Sequence, residues 1–290
     1  MTYTTRDRYS LDRNIFFETI GYVWSNLMPE ALTWRSAMKT IFALFVTFFL
    51  GMPGFSFDHS HSVWDKDLKK YLDKEGWVDY KSWKNDPANL KAYNKSLSSV
   101  TEVQYNSFSV AQKKAFLINA YNSFTVELIL KHYPVKSIKK IGGIFSSPWK
   151  IEFFSLLGGK LKTLDTIEHE WLRKIPELKD YRVHAAVNCA SVACPRLHED
   201  AFVAEKLDQQ MDQAMRTWIN DPMRNKLGKK ELELSKIFSW FGEDFGNEKE
   251  IVAIVKKYAK PEVAKTISPD ADVDYLSYDW DLNKQNRNNS

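Results

Sequence analysis

Residues 109–132 read SVAQKKAFLINAYNSFTVELILKH, and this stretch decides the fold. Ser109 carries a hydroxyl suited to the first free backbone amides of a helix, and Pro134 ends the run just after His132. Between them Phe116, Leu117, Ile118, Tyr121, Phe124, Leu128 and Ile129 leave no polar stripe. A helix that is apolar nearly all round must be covered on every side. The spacing therefore predicts one long central helix over 110–132, with the rest of the domain built around it. Asn119 and Asn122 lie three apart, on one face of that helix, where a buried carboxamide needs partners.

Outward from this helix, residues 63–72 and 87–97 read as shorter amphipathic helices, the second with Leu90, Tyr93 and Leu97 on one side. Residues 149–157 and 160–164 flank Gly158-Gly159 and read as a β-hairpin. Asp165-Thr-Ile-Glu168 has the form of a capping box opening a helix to about Ile175. Residues 181–188, small and apolar on both faces, read as an interior strand, followed by a loop over 189–196. Helices are expected over 201–220, with Leu207, Met211, Ala214 and Trp218 at helical spacing, and over 234–245 and 249–258. The last Asn- and Lys-rich residues read as frayed. The sum, over 58–290, is an α+β fold: a mostly helical single domain around a small sheet with a β-hairpin.

Composition bounds the function. With 44% hydrophobic residues in 290, the chain buries a core of one large domain. The net charge is +4 with the signs well mixed and no basic face, which speaks against a nucleic-acid partner. There is no P-loop, no GxGxxG and no zinc-type Cys/His spacing, so no cofactor and no metal are expected. His59 and His61 make two ligands without a third, and His132 and His198 look ordinary.

Residues 38–57, MKTIFALFVTFFLGMPGFSF, carry a Lys before a ten-residue apolar run, 41–50, broken by Gly51, Pro53 and Gly54. A membrane span needs about 20 apolar residues. The segment reads as a signal peptide, with cleavage after Ser56. The reading makes Met38 the initiator and 1–37 an over-extended start or unstructured; the alternative is a cytoplasmic tail with a short signal anchor. A periplasmic or secreted domain follows, with no stable membrane span after cleavage.

Five segments in order carry a resemblance. They are residues 115–122 (AFLINAYN), 164–169 (LDTIEH), 182–191 (RVHAAVNCAS) with Cys194-Pro195, 235–240 (SKIFSW) with Asp244-Phe245, and 278–283 (YDWDLN). Together, over about 63–283, the chain resembles the family catalogued as domain of unknown function 547. The resemblance implies the domain and candidate site residues. It implies no reaction, because the family has no assigned activity.

Cys189 follows the expected strand and opens a turn, a common place for a nucleophile. Three readings stand for it: a disulfide with Cys194, a nucleophilic thiol, or plain packing. His169, in the first turn of its helix, is the favoured base; Glu168 beside it is the capping acid or a supporting residue. His184 is the second candidate base, although strand alternation turns it away from Cys189. Asn119 and Asn122 orient a histidine or tie down the loop; Asn188 and Ser191 hold the turn or supply donors near the thiol. Trp240, Phe241, Tyr278 and Trp280 read as core. Two functions fit these residues. One is a thiol-dependent hydrolase or acyl transferase acting on an unidentified small molecule or peptide. The other is a non-catalytic exported binding module with a structural polar core or a Cys189–Cys194 disulfide. A redox role is a third, though the spacing differs from Cys-x-x-Cys.

Overall fold

The computed structural model describes residues 56–143 and 146–285, and its packed unit begins at Phe57. The expectations for 1–37, for the apolar run and cleavage segment up to Phe55, and for the tail beyond Gln285 lie outside the described residues. No described helix is long and apolar enough to cross a membrane.

The central helix forms as its ends dictate. Helix α5, Val110–His132, opens with a capping box: Ser109 Oγ accepts from Gln112 N at 3.2 Å, and the Gln112 side chain accepts from Ser109 N at 2.9 Å. Every residue from Ala115 to Val126 is buried. Helices α2 (Tyr80–Asn85) and α3 (Ala88–Ser99) pack on it, and α1 (Ser62–Tyr71) packs on α3. Stacked rings hold this layer, with Tyr71 on Trp83 at 4.8 Å and Trp64 on Tyr93 at 5.8 Å between centroids. A short helix, α4 (Glu102–Ser107), precedes the central one.

A second, smaller core gathers around α7 (Leu207–Ile219) and α10 (Glu248–Tyr258), which lie against a three-stranded sheet. Strand β3 (Lys226–Leu227) pairs antiparallel with β4 (Glu231–Leu234), and β4 pairs parallel with β5 (Asp272–Tyr275), Leu232 opposite Val273. The hairpin expected around Gly158-Gly159 is present but short: β1 (Phe154–Ser155) pairs with β2 (Leu161–Lys162). Leu157 and Gly158 both take positive φ, so the turn needs the glycine. About half of the described residues are helical and the two sheets are small, so the fold is the mostly helical α+β domain that the sequence implies.

Three local expectations are corrected. Residues 181–188 are not a strand. Asp180 Oδ1 accepts from Arg182 N at 3.0 Å and starts a helical turn, α6 (Val183–Ala186). This turn runs between the two cores, with Val183 and Ala186 in one and Ala185 in the other, which is why it carries apolar residues on more than one face. A short apolar run cannot by itself separate strand from helix. The expected capping box at 165–168 is replaced by Thr163, whose Oγ1 accepts from Thr166 N at 3.0 Å. The helix it opens is a π-helix, Thr166–Leu172, closed by Arg173 N bonding to Glu168 O at 3.2 Å. The helix expected over 234–245 is the end of β4 and two short helices, α8 (Lys236–Trp240) and α9 (Gly242–Phe245). A last short helix, α11 (Pro261–Ala264), leads to β5.

Residues 278–285 return across the molecule. Val192 N and Ala193 N bond to Asp281 O and Asp279 O, Asn283 N bonds to Ala190 O, and Val78 N bonds to Asn283 O. The segment thereby ties the Cys189 loop to the first helical layer.

Candidate functional site

The loop after α6 is built by amides. Asn122, on the buried helix, accepts from Asn188 N at 2.8 Å and donates to Ala186 O at 2.9 Å. Asn188 donates to Pro195 O at 2.7 Å and accepts from Ala190 N at 2.9 Å. Asn122 thus ties down the loop as the sequence suggests. Asn119 does not: it bonds only the backbone of Phe202, accepting at 3.0 Å and donating at 2.7 Å, one helical turn from the site. It stabilises another connection and is withdrawn from the site. The loop is strained next to the thiol, since Ala190 holds φ at 59°. Such a conformation costs an alanine about 1 kcal/mol or more and persists only where surroundings enforce it.

Cys189 and Cys194 are both free thiols, so the expected alternative of a disulfide between them is not formed in this structure. They are differently placed. Cys189 N donates to Cys194 Sγ at 3.0 Å. The Cys189 sulfur has the Tyr278 hydroxyl at 3.3 Å and the Ser191 hydroxyl at 3.1 Å, and these two hydroxyls are 3.1 Å apart. Hydrogen bonding from the Cys194 thiol draws the Cys189 pKa down, with Ser191 and Tyr278 adding to it against burial and the charge of Glu168. Burial and the Cys189 partner push Cys194 up, so Cys189 is the easier of the two thiols to ionise.

A cavity of about 210 Å³ opens over this sulfur. Cys189, Cys194, Glu168, His169 and His184 all line it. The correction to α6 matters here, because a helical turn, unlike an alternating strand, brings His184 to the same cavity as Cys189. Neither imidazole bonds the sulfur; its partners are the hydroxyls.

The two histidines carry their lone pairs differently. His184 Nε2 lies 2.9 Å from Asp244 Oδ2, and both side chains are buried. Burial raises the Asp244 carboxyl, but hydrogen bonds from His184 and Arg173 outweigh it and hold the pKa at about 2. A carboxylate only accepts, so Nε2 carries a proton, and in the neutral ring the lone pair is on Nδ1. Nδ1 has no protein partner among the described residues. Phe241 and Phe245 hold the ring at 4.2 and 5.2 Å between centroids. His169 Nδ1 is instead 2.6 Å from Arg173 Nη1. An arginine only donates, so this Nδ1 accepts and the ring's proton sits on Nε2, 3.8 Å from Asp165. The His169 lone pair is taken, and His184 is the ring with a free one. The geometry leaves the unbonded ring nitrogen on His184 and not, as expected, on His169.

Sequence reasoning missed several residues. Arg173 bonds His169, Asp244 and Glu243, and so fixes both rings. Asp244 and Tyr278 lie within the segments of resemblance, which is the one signal that pointed to them. The aromatic cluster is a wall rather than core. Trp240, Phe241, Tyr278 and Trp280 line the cavity with Trp149, and Trp240 is 46% exposed. Among the described residues no group of three or more His, Cys, Asp or Glu is placed to hold a metal ion.

The chain matches the family described as "Protein of unknown function, DUF547" over residues 105–219. The matched stretch holds the central helix, the π-helix, α6 and the Cys189 loop, whereas Asp244 and Tyr278 lie beyond it. The chain thus carries a DUF547 domain. No curated protein and no solved structure matches.

Proposed function

We propose that this chain, as a carrier of the DUF547 domain, is an exported thiol-dependent acyl-transfer enzyme, a hydrolase or transferase, with Cys189 as nucleophile and His184 as base. The observation that carries the reading is a thiol with a lowered pKa facing the same cavity as an imidazole oriented by a buried carboxylate. That is the division of labour of Cys–His–acid sites on unrelated folds. His184 Nδ1 takes the thiol proton as the sulfur attacks a carbonyl carbon. It returns that proton to the leaving group as the acyl-enzyme forms, then deprotonates the water or acceptor that releases the acyl group. Asp244 keeps the ring in the tautomer this needs and stabilises the imidazolium. The Tyr278 hydroxyl donates to the thiolate and in turn accepts from Ser191. Unliganded sites often have longer nucleophile–base distances, and a substrate filling the cavity draws the groups together.

A second reading, the non-catalytic binding module, is favoured by one observation: the sulfur bonds hydroxyls and not an imidazole. Timed alkylation with iodoacetamide near pH 7, read by peptide mass spectrometry, separates the two. The enzyme reading expects Cys189 to react at least about tenfold faster than Cys194. Equal, slow rates or a quantitative native disulfide leave the binding module as the better account. For export, N-terminal sequencing of protein recovered from periplasm or medium is expected to begin near Phe57; a chain that retains Trp34 overturns it.

A further inference from the structure

The cavity has a charge pattern that thiol chemistry alone does not require. Glu168 lines it at 7% exposure and makes no ion pair among the described residues; its hydroxyl partner is Tyr121. Asp165 also lines it, 3.8 Å from His169 Nε2. Among the described residues no lysine or arginine lines the cavity, and Arg173, which bonds the lining His169, is occupied by Glu243 and Asp244. A buried carboxylate without a cation is costly, and a site that keeps one commonly expects the cation to arrive.

Much of the remaining lining is aromatic. Trp280 meets Trp149 at 5.6 Å, Trp240 at 5.7 Å and Tyr278 at 4.5 Å between centroids. Indole faces attract cations through their quadrupole, most strongly where water is excluded. The Trp280 ring already takes the Lys139 ammonium at 4.9 Å. The acidic and the π-rich parts of the lining select charge in the same direction.

We propose that the Cys189 cavity recognises an organic cation, a protonated amine or guanidinium carried by the substrate, seated between Glu168 and the indoles of Trp149, Trp240 and Trp280. The inference rests on the reading of this cavity as the substrate site of a thiol enzyme. It has a consequence for the nucleophile. The Glu168 charge opposes ionisation of Cys189, so a cation bound at Glu168 removes that opposition and readies the sulfur only when the cavity is filled.

The test uses the whole protein and two thiol reagents of equal reactivity type and opposite charge: trimethylammonium-ethyl and sulfonato-ethyl methanethiosulfonate. Each rate at Cys189 is divided by the same reagent's rate with free 2-mercaptoethanol. The expected normalised preference for the cation is about tenfold or more. Glu168→Gln brings it down to within about twofold, and Glu168→Asp retains most of it. A wild-type ratio near one, or one favouring the anion, overturns the cation site and leaves the thiol reading intact. A Cys189 inert to both reagents, when both modify the unfolded chain, overturns the thiol reading and this inference with it. The wild-type comparison needs no variant to fold.

Discussion

His61 and His184 are both buried imidazoles, 1% and 2% exposed, and both are ringed by aromatics, yet the protein makes opposite things of them. His61 sits near Phe57 and Tyr93, with Nδ1 on the Tyr93 hydroxyl at 2.6 Å and Nε2 buried without a partner. Burial pushes its pKa down to about 3, so it is a neutral, silent ring that fills space. His184 has the same aromatic packing plus one carboxylate, Asp244, itself held ionised by Arg173. Aromatic burial sets a ring's position; a charged partner within hydrogen-bond reach fixes its proton and aims its lone pair. A buried histidine is a site only in the second case.

The largest expected difference between the two corners is in rate. His184→Asn lowers hydrolysis of a p-nitrophenyl ester with an amine-bearing acyl chain by about 10²–10⁴-fold. His61→Asn, measured at a temperature where it remains folded, leaves that rate within about twofold. Equal losses in both would erase the contrast between the two rings.

Acid titration of stability sharpens it next. His61 is neutral when folded and takes up a proton when unfolded below its ordinary value of 6.5. Its contribution is therefore complete above about pH 6.5 and is lost as the pH falls toward 3, by roughly 3 kcal/mol at pH 4. Urea midpoints between pH 7 and 4 are expected to show this slope and His61→Asn to flatten it. Asp244 has the same sign in a lower window. Its stabilisation is present above the ordinary carboxylate value and declines only as the pH falls toward 2, so the His184 corner adds no carboxylate slope in this range. An unchanged slope in His61→Asn would show that burial is not what holds this ring neutral.

The smallest effect concerns the thiol. Tyr278→Phe removes a donor to the Cys189 sulfur but keeps the ring against Trp240 and Trp280. The pH of half-maximal alkylation is expected to move up, and the rate at pH 7 to fall by about threefold. A downward move would mean that the hydroxyl accepts from the thiol instead of donating to it.

The fold is legible where the chain carries local chemistry. Ser109, Gln112 and Pro134 set the ends of the central helix, and Gly158 marks the hairpin turn. The π-helix is not legible, because its extra residue per turn is enforced by packing rather than spelled by any residue type. Residues 181–188 mislead because they lie between two cores, which removes the polar face that periodicity relies on. In the site, Cys189, Asn122, Asn188, Ser191 and His184 are all named by the sequence. Asp244 lies sixty residues from the ring it orients, and only the fold brings them together. The aromatic wall reads as core because composition cannot say which side of a tryptophan is empty.

The returning segment 278–285 has a consequence in time. It supplies the Tyr278 hydroxyl to the thiol and latches the loop through Asn283, whose side chain accepts from the Tyr80 hydroxyl at 2.7 Å and whose amide donates to Asn188 at 3.3 Å. A chain is made from its N-terminal end, so residues 57–277 all exist before this latch does, and the surroundings of the Cys189 sulfur are completed only when the last stretch of the chain has been made.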